Sequence, residues 1–161
     1  VELLYNKIIS VVEEESLCLE EFLELLVSQQ KYLVENDLEN LKDGVARQQE
    51  IISRVKALEK KRAQLVARYS ETEDVNPSDI TISCLARKAG GQIADKLLEL
   101  QNSLLSLHER IEKARRKNEF LIENSMKYID GTIRLIAESG TQKKGYLKSD
   151  KQESPILSRT V

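Results

Sequence analysis

From Ile93 the chain sets out Leu97, Leu100, Leu104, Leu107, Ile111, Ala114, Asn118, Leu121, Ser125, Tyr128, Thr132 and Leu135, alternating steps of four and three. Sustained over about six heptads, that spacing is the mark of one long amphipathic helix and excludes a strand. The N-terminal half of the ladder is Leu and Ile. Beyond Asn118 it turns partly polar, and a second ladder takes over one residue along: Ile122, Met126, Ile129, Ile133 and Ile136. The apolar stripe therefore broadens and rotates as the helix nears its end.

Two further helices precede it. Over residues 2–34, Leu4, Ile8, Val11, Cys18, Phe22, Leu25 and Tyr32 fall on four-three spacing, with Tyr5, Val12, Leu19, Leu26 and Leu33 repeating beside them. So broad a face suits packing against two neighbours. Glu15 and Gln29 interrupt the seam and are expected at its edge. Asn36-Asp37 breaks the helix; either residue can cap the next one, and Glu39 completes a capping-box pattern with Asn36. The short connection makes the second helix an antiparallel neighbour. It is expected to run to about Ser70 with Leu38, Leu41, Val45, Ile52, Val55, Leu58, Leu65 and Tyr69 inward, and to tolerate Gly44 at a cost of about 1 kcal/mol.

Residues 71–77 read as a loop. Asn76 as cap and Pro77 at the first position start a short helix to Ala89, weakened by the branched Ile80-Thr81-Ile82, and Gly90-Gly91 ends it or forms a joint. After Ser139-Gly140 the pattern dissolves into Lys, Ser, Gln, Gly and Pro, so residues 140–161 are expected to form a flexible basic tail. The expected fold is all-α: an elongated antiparallel bundle or coiled coil of three long helices plus one short helix over residues 1–139, followed by that tail.

Charge and composition narrow the function. The net charge is −2, yet residues 1–39 hold ten acidic and two basic side chains, residues 40–70 three acidic and eight basic, and the last 23 residues run +3. An acidic helix beside a basic one favours antiparallel pairing and sets register. Lys60-Lys61-Arg62 and Arg115-Arg116-Lys117 lack interleaved aromatics, which argues against a nucleic-acid face. Cys18 and Cys84 have no metal-ligand spacing and read as buried free thiols in a reducing, cytoplasmic setting. No apolar run nears the roughly 18 residues that a membrane span needs, and the tail's scattered cations lack an apolar anchor for a membrane surface.

Catalytic chemistry is not in evidence. His108 has no second imidazole to pair with, and Glu13-Glu14-Glu15 point in different directions on a helix. There is no P-loop, dinucleotide glycine fingerprint or nucleophile elbow. A non-enzyme without metal or cofactor is expected.

A length mismatch gives the positive clue. Two helices of about 33 residues reach roughly 50 Å, whereas the third, from about Gln92 to Glu138, reaches roughly 70 Å. Its last 15 residues or so would project past the turn at Asn36, carrying Ile122, Met126, Ile129, Ile133 and Ile136 where water is a poor neighbour. A bent-back helix or tilted bundle, the tail, a second copy of the chain (a homodimer or spectrin-like coiled-coil spacer) or a bound partner would each cover them. Gly131 and Thr132 lower local helix stability, as suits a segment ordered by what it binds.

The order of these parts resembles the FlgN family of flagellar type III export chaperones. Asn36-Asp37-Leu38-Glu39-Asn40-Leu41 is similar to the family's acidic turn into its second helix, and Leu58-Glu59-Lys60-Lys61-Arg62 to its Leu-Glu-x-x-Arg stretch. Leu97 to Leu107, followed by Asn118 to Met126, resembles its Leu-rich run and the motif after it, and Gly145-Tyr146 its tail tyrosine. The tail departs from the pattern in being longer and in lacking a glycine soon after Tyr146. The resemblance implies a chaperone that binds hook–filament junction proteins of the FlgK and FlgL type and delivers them to the export gate. It also implies client binding by the C-terminal amphipathic region, here Phe120, Leu121, Ile122, Met126, Ile129, Ile133 and Ile136, with Tyr146 in the tail. That is the stretch the length mismatch singles out.

Overall fold

The computed structural model describes residues 1–139. They form α1 (Glu2–Glu35), α2 (Leu38–Glu73), a 3-10 turn (Pro77–Asp79), α3 (Ile82–Ala89) and α4 (Gly91–Ser139), with no strand among the described residues. The all-α reading with three long helices and one short one is met. The tail expected over residues 140–161 lies outside the described residues.

Each boundary has a local cause. Asn36 takes a left-handed conformation (φ 54°), which Asn tolerates well. Asp37 N–H then returns to Tyr32 O at 2.9 Å and Asn36 N–H to Leu33 O at 3.4 Å, closing the end of α1. Asp37, not Asn36, caps α2: its carboxylate accepts from Asn40 N–H at 3.3 Å and from the Asn40 side-chain amide at 2.6 Å. The reciprocal capping-box bond expected of Glu39 is not made: Asn36 N–H and Asp37 N–H go to Leu33 O and Tyr32 O instead. The same closure recurs at Asp74 (φ 50°), where Val75 N–H returns to Ser70 O, so α2 extends three residues into the stretch expected to be loop. Asn76 caps the 3-10 turn through Ser78 N–H, and Thr81 caps α3 through Cys84 N–H. Gly90 and Gly91 both have positive φ, the cheapest way to redirect the chain from α3 into α4 in two residues.

The helices share their contacts between two compact units. The first comprises Val1–Glu24 and Gln48–Glu112; the second comprises Leu25–Arg47 and the chain from Lys113. In the first unit, Tyr5, Ile8, Val11 and Val12 of α1 pack with Leu65 and Tyr69 of α2, Leu85 and Ala86 of α3, and Leu97 and Leu100 of α4. That cluster is where the short segment docks: α3 inserts Leu85 and Ala86, with Ile80 and Ile82 alongside. At its centre the Tyr5 and Tyr69 hydroxyls hydrogen-bond at 2.8 Å, with the rings 5.4 Å apart and tilted. Burial, then the bond to Tyr5, pushes the Tyr69 phenol well above its ordinary range.

Tyr5 with Tyr69, Glu15 with Arg62 and Glu21 with Arg54 run in opposite senses along α1 and α2, the antiparallel pairing expected of an acidic helix beside a basic one. Two details differ from the sequence reading. Glu15 is buried in the seam instead of lying at its edge. On α2, Leu38 and Ile52 are exposed, and Gln48 and Ile51 take the inward places. Positions 51 and 52 are one step apart on a helix whose 3.6-residue turn drifts against a heptad, so the sequence spacing admits both. Cys18 is buried and Cys84 half-buried, both as free thiols.

Burial raises the Glu15 carboxyl above the usual carboxylate range, with Glu59 adding to the shift and Arg62, 3.4 Å away, opposing it. A carboxyl raised in the folded state takes up protons on folding, so its contribution is favourable at low pH and is lost as pH rises through the folded value. Glu15→Gln should therefore raise the urea midpoint at pH 7, and the gain should vanish as pH falls through the ordinary carboxylate range. Urea titrations of both proteins across that range check it.

Gly44 lies within α2, where an added Cβ would sit 3.9 Å from the Gln29 side chain, an ordinary contact. Gly44→Ala should raise stability by about 0.5–1 kcal/mol through helix propensity alone, measurable in the same titrations.

Candidate partner-binding surface

The second unit is built on a polar layer. Gln29 and Asn118 are both only 2% exposed there, beside buried Leu26, Leu41, Val45 and Ala114. Gln29 thus lies inside the seam instead of at its edge, where the Asn118 amide of α4 meets it. Asn118 Nδ2 donates to Leu26 O at 3.0 Å, with Gln29 Oε1 at 3.4 Å. Its Oδ1 is buried without a hydrogen-bond partner among the described residues. An amide that reaches a main-chain carbonyl of the neighbouring helix holds α4 in one register against α1.

That register fixes where coverage ends. With Asn118 opposite Leu26 and Gln29, the remaining residues of α1 to Glu35 run beside α4 only to about residue 125 at their common rise. Burial follows the count. Asn118 is buried, and Leu121, Ile122, Ser125 and Met126 are half-buried; Ile129, Asp130, Gly131 and Thr132 are all exposed. Ile129 is 46% exposed, Leu135 70% and Ile136 49%, and Ile133 is half-buried.

At about 100° per residue, Ile122, Met126, Ile129, Ile133 and Ile136 fall within about 40° of a common line along α4. Asn118 lies within the same range. The stripe is thus the continuation of the face that carries buried Asn118 against α1, half-buried at Ile122, Met126 and Ile133 and exposed at Ile129 and Ile136. Leu121 flanks it. Phe120, 62% exposed, points about 160° away and does not share the face. Of the residues singled out from sequence, the structure brings five onto one line, sets Leu121 at its border and puts Phe120 elsewhere. Tyr146 lies outside the described residues.

Leu38, expected inward on α2, is a correction. It lies one turn before Leu41 but stands 67% exposed because it is at the very start of the helix. Its helical phase alone suggested a core position; the signal against that was its place beside the break at Asn36-Asp37.

The rest of the described surface offers little chemistry. No cluster of three or more His, Cys, Asp or Glu among the described residues is arranged to hold a metal. No helix there is long and apolar enough to cross a membrane. His108 is exposed. An open groove of about 450 Å³ between α1 and α2, with Leu25, Tyr32 and Ala46 beside Gln29, Asp43 and Arg47, has a wall of mixed polar and apolar character.

Since Ile129 is exposed and Ile133 only half-buried, Ile129→Asp/Ile133→Asp should cost less than about 1.5 kcal/mol, whereas Leu97→Ala, 1% exposed in the first unit's core, should cost about 2–5 kcal/mol. Denaturation of the two variants side by side tests whether the stripe is surface or core.

In comparison with known proteins, the family model described as FlgN protein matches residues 4–154. No curated protein and no solved structure matches the chain.

Proposed function

Since the chain belongs to the FlgN family of flagellar export chaperones, we propose that it holds hook–filament junction proteins of the FlgK and FlgL type before export, using the end of α4. The observation that carries this reading is the stripe of Ile122, Met126, Ile129, Ile133 and Ile136, which continues a packing face and passes from half-buried at Ile122 and Met126 to exposed at Ile129 and Ile136. A client's amphipathic terminal helix laid along that stripe takes the place α1 and α2 occupy lower down, in the helix-in-groove manner. With its own apolar face buried, the client segment is kept from assembling early. Release at the export apparatus then needs only exchange of one helix for another.

The energetics suit a carrier. Complete burial of an Ile-sized side chain is worth roughly 1.5–3 kcal/mol, and the stripe enters the exchange already partly buried. Less the cost of association and ordering, such a ladder supports micromolar or somewhat tighter binding, which is strong enough to hold and weak enough to hand over. A holding role requires no catalytic group, and the dispersed carboxylates and lone exposed His108 are in keeping with that.

Calorimetry with the full chain and the C-terminal segment of a hook–filament junction protein tests the reading. The expected result is one-to-one binding with a negative heat-capacity change, weakened at least 100-fold by Ile129→Asp/Ile133→Asp. Normal binding by that variant would place the site elsewhere. No binding, together with a tight dimer by light scattering, would favour a coiled-coil spacer in which a second copy covers the stripe.

A further inference from the structure

The stripe is apolar, but its two borders differ. On one side, about 80–100° round the helix from the stripe's midline, stand Glu123 and Asp130, both exposed. On the other, about 60–80° away, stand Ser125 and Thr132. Glu119 also leans toward the acidic side but is engaged by Arg115 on its own helix. Lys127 and Arg134 follow Glu123 and Asp130 by four residues, yet neither pair forms an ion pair among the described residues, and both bases lie farther round the helix, behind the acids. A helix lying on the stripe therefore meets two carboxylates along one edge and hydroxyls along the other.

We propose that this surface selects an amphipathic helix of a second protein that carries Lys or Arg along one edge of its apolar seam. The proposal rests on the reading of the stripe as the client site and adds the chemistry by which a client is chosen. In a two-helix seam, the residues flanking the apolar core meet their counterparts across it, and their charges set partner and orientation. Glu123 and Asp130 are seven residues apart, so bases at the same spacing on the incoming helix meet both at once. A second copy of the chain is a poor occupant by the same rule. In the antiparallel register that sets Ile122 on Ile133 and Met126 on Ile129, Glu123 of one copy comes beside Asp130 of the other, a like-charge contact on each side of the dyad.

Two synthetic helical peptides with an identical Leu/Ile seam, one with Lys and one with Glu at the flanking positions, test this by calorimetry against the full chain. The Lys peptide should bind about tenfold more tightly at low salt, from two attractive against two repulsive contacts. The advantage should shrink at about 0.5 M salt. Glu123→Lys/Asp130→Lys, at exposed positions where far-UV circular dichroism checks the fold, should invert the preference. Equal binding of both peptides, lost in Ile129→Asp/Ile133→Asp, would overturn the charge selection while leaving the stripe as the site. Failure of both peptides and of the junction-protein segment would overturn the client reading itself. A dimer of the chain that the Lys peptide does not dissociate would make a second copy the occupant and overturn the proposal.

Discussion

The hydrogen bond from Asn118 Nδ2 to Leu26 O is the contact on which the proposed client surface depends. A Leu at that position would pack as well but would slide; an amide bound to a main-chain carbonyl has one place to be. With α4 held there, the break at Asn36-Asp37 decides which residues of α4 have α1 and α2 beside them and which have not. Moving the break one turn later would cover Ile129; moving it one turn earlier would expose Met126 and Ile122 more fully. The surface is thus set by two local devices, a buried amide and a left-handed asparagine, neither of which belongs to it.

The cost of this arrangement is visible in the same layer. Asn118 Oδ1 is buried without a hydrogen-bond partner among the described residues, an expense of about 1–3 kcal/mol for such a group. Glu15 adds a second polar burial in the first unit, offset in part by Arg62. An apolar replacement at either place would strengthen packing. Polar groups in a helical seam are best understood as constraints on register, and here register is what separates a covered isoleucine from a bare one.

Much of the fold was legible because helical periodicity is a local signal: each ladder repeats often enough that a single polar interruption does not erase it. The limits of legibility were tertiary. Whether Glu15 and Gln29 lie at the edge of the seam or inside it depends on what faces them, and what faces Gln29 is Asn118, distant in sequence. Ile51 and Ile52 are equally good by spacing, and only a neighbouring helix chooses between them. Asn36 and Asp37 can each cap a helix; the left-handed turn at Asn36 leaves the cap to Asp37. The stripe at the end of α4 was legible as a ladder, and its exposure followed from comparing helix lengths. That Phe120 does not share its face follows from phase, once the line through Ile122 and Ile129 is drawn.

A surface that stays bare between partners must be apolar enough to bind and interrupted enough not to aggregate, and the end of α4 meets both demands through its period. Apolar side chains occupy a band about 80° wide, while Glu123, Ser125, Asp130 and Thr132 close in on it from both borders. The bare face is a narrow line, not a broad patch of the kind that drives indiscriminate association. Gly131, already helical inside α4, lowers helix propensity in the middle of the line by about 1 kcal/mol relative to Ala, a cost that falls on the free chain and on every complex alike. A poorly matched helix gains less along the seam. On the proposed reading, the charged border and the line of isoleucines act together, and selectivity comes from making weak partners weaker as much as from making a good one strong.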